Sequence, residues 1–192
     1  MAIAFVDESR KAHAGRAVYI FGAVIFMDAE AVERARDAML ALLIPGEPKV
    51  HWYGAVDTYR SEIMAAVAGL DAIHLAVWHE MLPGDTDERS RRVALTHLVY
   101  QLQLLGVEQA VLESRQPRQD KNDLDIFRTG PLARGARRVR ADHMPGRLEP
   151  ALWVADALCG ADGERLVGND RTYVDQIAEH YDSISTRLAE RL

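Results

Sequence analysis

At 192 residues and 21.4 kDa, with 48% apolar and 27% charged residues, the chain has the size and make-up of one globular domain spanning residues 1–192. A single cysteine, Cys159, excludes an internal disulfide framework and any multi-cysteine zinc centre. A net charge of −6 argues against a protein that coats nucleic acid by charge alone.

The start, MAIAFVDES, lacks the basic and long apolar segments of a signal peptide, and Ala2 to Val6 reads as a buried strand ending at Asp7. Lys11 to Gly15 is a polar turn. Ala17 to Met27 is a second, β-rich strand, so the two should form an antiparallel hairpin. Its apolar stretch, Val18 to Met27, is about half a membrane span. The expectation is a cytoplasmic protein without a membrane partner.

Asp28 has the character of a helix N-cap. Val32, Ala35, Met39, Leu42 and Leu43 follow on one helical face, and Pro45-Gly46 ends the helix. Glu47 to Val56 is irregular. Tyr59, Ile63, Val67 and Leu70 mark a second helix, and Ala72 to His79 alternates as a strand. Thr86 to Gly106 is a long helix, apolar nearly all round in its second half, hence deeply packed. Val107 to Leu112 is a short strand ending at Glu113. Asp120 to Arg134 is a weaker helix broken near Gly130-Pro131, and Arg137 to Ala141 a short strand. Glu149-Pro150 opens a helix through Cys159. A last helix, about 170–191, carries Tyr173, Ile177, Tyr181, Ile184 and Leu188, and would pack on the domain or on a partner. An opening hairpin followed by alternating helices and strands specifies a mixed-sheet α/β domain, without the Gly-rich turn of a dinucleotide-binding fold.

Three acids occupy unusual places. Asp7 and Glu113 stand where apolar strands end, and Asp156 lies inside the apolar run Leu152 to Cys159. Adjacent strand ends bring side chains together, and a helix packed on the sheet can add a third. Converging carboxylates are costly to desolvate, and Mg²⁺ or Mn²⁺, which prefer oxygen ligands, are the usual compensation. Aspartate is also a poor helix-interior residue and is rarely buried unpaired. The ordinary alternatives are a strand-end turn for Asp7, an ion pair to Arg115 or Arg118 for Glu113, and an exposed position or an arginine partner for Asp156. Glu149 lies seven residues before Asp156, on the same helical face. Glu8 should point away from Asp7, to the other side of the strand.

From Glu113 to Glu149 the chain holds nine basic and six acidic residues. Arg137, Arg138 and Arg140 could grip phosphates, and Arg suits that better than Lys. His51, beside Lys49 and Trp52 in an irregular loop, could contact a phosphate or assist proton transfer. Asp120, Asp123 and Asp125 match a cation loop only loosely. No HExxH motif, zinc-spaced Cys/His set or nucleophile elbow is present.

The opening AFVDESR, the strand AVYIFGAVIF and the late EPALWVADALCGA resemble the bacterial proteins grouped as domain of unknown function 3800, over about residues 2–161. The family's opening Asp-Glu-Ser falls on Asp7, Glu8 and Ser9. Its late helix with an inserted Asp falls on Leu152 to Gly160, with Asp156 as that residue. Glu113 stands where the family's middle strand often ends in Asp. The resemblance implies a ribonuclease H-like fold: a mixed sheet opening with an antiparallel hairpin and flanked by helices. It also implies a divalent-metal site able to cut phosphodiester bonds, with Asp7, Glu113 and Asp156 holding one or two Mg²⁺ or Mn²⁺ ions. Nucleic acid is the expected partner, and a homo-oligomer is compatible with the sequence. A non-catalytic binding or assembly module of the same fold is the alternative, consistent with the short basic region and negative charge.

Overall fold

The computed structural model describes residues 1–189. A long hairpin of β1 (Ile3–His13) and β2 (Arg16–Phe26) forms the centre of a six-stranded sheet. Strands β3 (Ile73–Glu80), β4 (Gln109–Glu113), β5 (Arg140–Met144) and β6 (Tyr181–Ser185) complete it in the order β5-β4-β1-β2-β3-β6. Strand β2 runs antiparallel to β1 and β3; β1 with β4, β4 with β5, and β3 with β6 are parallel. The expected hairpin forms, and β1 and β4 are neighbours, registered Ile3 to Gln109 through Val6 to Leu112.

Helices cover both faces. Strand side chains alternate, so Phe5, Val24, Phe26 and Val111 face a core built with α1 (Ala29–Ala41), α2 (Asp57–Ala68) and α5 (Ala151–Gly163). Ala4, Val6, Phe21, Ala110 and Leu112 face a second core against α3 (Asp87–Leu104) and α4 (Pro117–Thr129). The capping chemistry is local: Asp28 accepts from the Ala31 amide and Thr86 from the Arg89 amide, each satisfying a first-turn N–H. Among the described residues, no helix is long and apolar enough to cross a membrane.

The last predicted helix is the main correction. Val174–His180 is a 3₁₀ segment, Tyr181–Ser185 is edge strand β6, and only Thr186–Ala189 is α-helical, as α6; positions 190–191 of the predicted span lie outside the described residues. The helical spacing of Tyr173 and Ile177 is real, and both pack on the first core. Beyond them the period changes to two: Tyr181 packs on the first core and Ile184 on the second. A polar network fixes the strand. Asp162, fully buried on α5, accepts from the Tyr181 hydroxyl and from Arg165 Nε (2.7 Å), and Arg165 Nη2 donates to Ser183 Oγ (2.6 Å). These long-range bonds override the local pattern.

Candidate metal centre

Odd-numbered residues of β1 face α5, so Asp7 follows Phe5 onto that side; Glu113, the last residue of β4, follows Val111 there by the same alternation. Asp7 is not at a strand end, as the sequence suggested. It sits mid-strand, paired with Gly22 and one residue past the point where β4 stops pairing with β1. The hairpin outlasts β4, because its partner β2 is equally long.

Helix α5 crosses this surface. Every residue of it is buried except Asp156, which is partly exposed. Close approach depends on Gly22: a Cβ there would lie 2.8 Å from Cys159 Sγ and 3.0 Å from the Ala155 carbonyl oxygen. The missing side chain lets α5 settle onto the hairpin beside the residue that pairs with Asp7, which brings Asp156 to the strand acids. Cys159 Sγ donates to the Asp7 carbonyl at 3.3 Å, tying helix to strand.

The irregular loop between α1 and α2 supplies cations. Val50 and Trp52 are buried, while Lys49 is half-buried and His51 exposed, an alternation of anchors and polar groups. Trp52 packs edge-on against Tyr173 (4.9 Å between centroids) and lies where a Cβ on Gly160 would be, so the loop is pinned to α5. Lys49 Nζ then donates to both Glu113 oxygens, at 2.9 and 3.1 Å. His51 Nδ1 is 2.8 Å from Asp156 Oδ2, the oxygen that also accepts from the Trp52 amide at 2.8 Å. A cavity of about 270 Å³ opens alongside, lined by Lys49, His51 and the exposed Tyr53.

Burial, with the charges of Asp156 and Glu113 facing it, holds the Asp7 carboxyl well above its ordinary pKa; the Glu8 amide and Lys49 only partly offset this. Burial also works against the Asp156 carboxylate, yet its bond to His51, the Trp52 amide and Lys49 bring it below the ordinary range. The Asp156 bond raises His51. Lys49 is raised too, the Glu113 bond and the charges of Asp156 and Asp7 outweighing its desolvation. Asp7 Oδ2 and Asp156 Oδ1 accept no hydrogen bond among the described residues. Half-buried carboxylate oxygens with open lone pairs are donors of the kind a hard divalent cation takes.

The remaining expected site residues lie elsewhere. Glu8 points to the opposite face as expected, and bonds Arg91 (2.7 Å), Arg115 (2.9 Å) and the Tyr19 hydroxyl (2.9 Å). Glu149 lies just ahead of α5, buried and gripped by Arg36 through both oxygens (2.8 and 2.5 Å), so it has no free charge to offer a metal. Arg137, Arg138 and Arg140 line a cavity of about 620 Å³ at the other end of the sheet. Arg140 pairs with Gln109 and Met144 with Glu113, so four residues of strand, about 13 Å, separate these arginines from the acids. Because β5 runs parallel to β4, its first residues lie at the far end of the sheet from Glu113.

Two features escaped the sequence reading. Lys49, one of only three lysines, was visible beside His51 but carried no motif. Asp120, Asp123 and His143 have ligand atoms all within 4.8 Å, and are the only such trio among the described residues; Asp7, Glu113 and Asp156 stand further apart. The tighter trio is already neutralised: both Asp123 oxygens accept from Arg91, at 2.5 and 2.6 Å, and His143 Nε2 is 3.3 Å from one of them.

No family model matches the chain, and no curated protein matches it. Among solved structures, the chain is similar to one in the structure of the PCNA:RNase HII complex from Archaeoglobus fulgidus. The TM-score is 0.53 at 16% identity, covering 100% of this chain and 87% of that one. Likeness at this identity speaks for architecture, and it agrees with the central hairpin and mixed sheet described above. The chain has a ribonuclease H-like fold.

Proposed function

We propose that the protein is a metal-dependent phosphodiesterase acting on nucleic acid, related to the bacterial family of domain of unknown function 3800. The observation that supports this best is Asp7: a half-buried carboxyl, faced by Asp156 and Glu113, on the central strand of a ribonuclease H-like sheet. A structural acid is normally paired, as Glu8 and Glu149 are here. Asp7 instead faces like charge, which a fold tolerates when a cation completes the site.

Asp7 and Asp156 would hold Mg²⁺ or Mn²⁺ through their open oxygens, with Glu113, paired to Lys49, completing the acid cluster beside them. When bound, such an ion supplies Lewis-acid stabilisation of the phosphoryl oxygens and acidifies the attacking water. Lys49 fixes Glu113, and the Trp52 amide fixes one Asp156 oxygen, so the carboxylates are oriented before substrate arrives. His51, half exposed at the cavity, can exchange a proton with the reacting phosphate. Arg137, Arg138 and Arg140 are too far along the sheet to act at that phosphate.

The test is cleavage of labelled DNA, RNA and hybrid oligonucleotides, single- and double-stranded, with Mg²⁺ or Mn²⁺. At least one substrate should be cut, and Asp7→Asn and Asp156→Asn should each lower the rate by roughly 10²-fold or more. Complete inactivity on all of them by metal-loaded protein would contradict the proposal and favour the non-catalytic module, which the ready-made Lys49–Glu113 pair also suits.

A further inference from the structure

We infer that the Lys49 ammonium takes the place of a second cation, so that the centre accepts a single divalent ion between Asp7 and Asp156. This rests on the metal-site reading above. It goes further by assigning the number of ions and the residue that sets it.

The hydrogen bonds divide the three carboxylates. Both Glu113 oxygens are committed to Lys49, at 2.9 and 3.1 Å. Asp7 uses Oδ1 for the Glu8 amide and Asp156 uses Oδ2 for His51 and Trp52, which leaves one open oxygen on each. Asp7 and Asp156 thus each keep one oxygen free to act as a ligand, and the ammonium sits on the third acid. The Lys49 side chain is largely covered and its ammonium is bonded to one of the three acids, so it is no peripheral surface cation.

Charge balance gives the same count. Three ionised carboxylates carry three negative charges; one divalent ion and one ammonium neutralise them. A second divalent ion would leave a net excess of two positive charges before substrate binds, with an ammonium against it. Two ions that share carboxylates normally stand about 3.5–4 Å apart, and the position nearer Glu113 is the one Lys49 fills. The lysine is held there by construction. Val50 is buried beside it, Trp52 anchors the loop on α5, and the Lys49 side chain is itself largely covered. An ammonium on a loop pinned to α5 leaves the cluster less readily than a surface lysine, whose rotamer freedom opposes a fixed position.

The experiment titrates metal-free protein with Mn²⁺ alone and reads bound ions per chain together with the electron paramagnetic resonance spectrum. Asp156→Asn identifies the ions that belong to this centre. Wild type should bind one such ion, with the spectrum of an isolated Mn²⁺. Lys49→Gln should bind two, with the spectrum of a magnetically coupled pair, and Lys49→Arg, which keeps the charge, should stay at one. A coupled pair in wild type would overturn the inference and leave the metal-site reading intact. A single ion in both wild type and Lys49→Gln would likewise overturn it, because Lys49 would not be what limits the count. No Mn²⁺ sensitive to Asp156→Asn would overturn both readings together. The wild-type count decides against the proposal without any variant, should Lys49→Gln not fold.

Discussion

Asp7 and Glu8 are adjacent in the chain and face opposite sides of the same strand, in opposite electrostatic settings. Glu8 meets Arg91, Arg115 and Tyr19, beside an Asp123 held through both oxygens by Arg91. Burial still raises the Glu8 carboxyl, but its neighbours are cations working against that. Asp7 meets two further carboxylates, and Lys49 offsets their charge only in part. Two acid clusters built back to back on one strand therefore differ in completeness. The Glu8 side is a closed ion network that stabilises α3 and α4 against the sheet. The Asp7 side is under-neutralised, which is costly in a structural element and useful in a cation site.

Breaking the closed side should have the largest effect on stability. Arg91 is nearly fully buried, and Arg91→Met leaves the buried Asp123 and the half-buried Glu8 without it. A loss of about 3–5 kcal/mol in urea unfolding is expected, with Mn²⁺ affinity per folded molecule changed little. Gly160→Ala attacks the open side indirectly. Its Cβ would collide with the Trp52 ring and push out the loop that carries Lys49 and His51. Overpacking of this kind should cost about 1–3 kcal/mol by denaturant melts. It should also weaken metal binding, which Arg91→Met should not.

Asp7→Asn has the opposite sign. Removing the charge at the centre of like-charge repulsion should stabilise metal-free protein by about 1–2 kcal/mol. The pH dependence sharpens this. Asp7 binds its proton more tightly folded than unfolded, so metal-free protein gains stability as pH falls from its raised pKa toward the ordinary aspartate range, and loses it as pH rises through the raised value. His51, also raised, acts in the same direction: its contribution is present below the ordinary histidine value and lost above its raised one. Asp156, lowered, contributes stability above the ordinary aspartate range that is lost at lower pH. Melting temperatures of wild type and Asp7→Asn between pH 4 and 8 should diverge most at the alkaline end; parallel curves would remove the repulsion from Asp7. The smallest effect is expected from Arg137→Ala with Arg140→Ala. Both are exposed, have no acidic partner among the described residues and lie at the far end of the sheet. Stability should shift by about 0.5 kcal/mol or less, and Mn²⁺ affinity should not change in calorimetric titration.

Much of this arrangement is legible in the sequence because it is set by short-range alternation. The hairpin follows from two apolar runs around the polar stretch Lys11 to Gly15, although the structure narrows the expected turn to Ala14 and Gly15 and carries β1 on to His13; the odd–even rule separates Asp7 from Glu8. Asp156 stands out because every other residue of its helix is buried. What sequence does not carry is long-range pairing. Arg36 claims Glu149 from 113 residues away, and Lys49 reaches Glu113 across 64. The 170–191 region fails for the same reason: its edge strand is specified by β3 and by Asp162, and neither lies within the periodic window.

The central claim is that Asp7 and its facing carboxylates form a cation site, and a thermal melt with and without Mn²⁺ tests it most directly. A ligand bound only by the folded state at about a hundred times its Kd stabilises by roughly 2.7 kcal/mol, so the wild-type Tm should rise by about 5–10 °C. Asp7→Asn should start higher than wild type in metal-free buffer and lose most of that rise. A wild-type Tm that does not move with Mn²⁺, or an Asp7→Asn variant that responds as fully as wild type, would contradict the account.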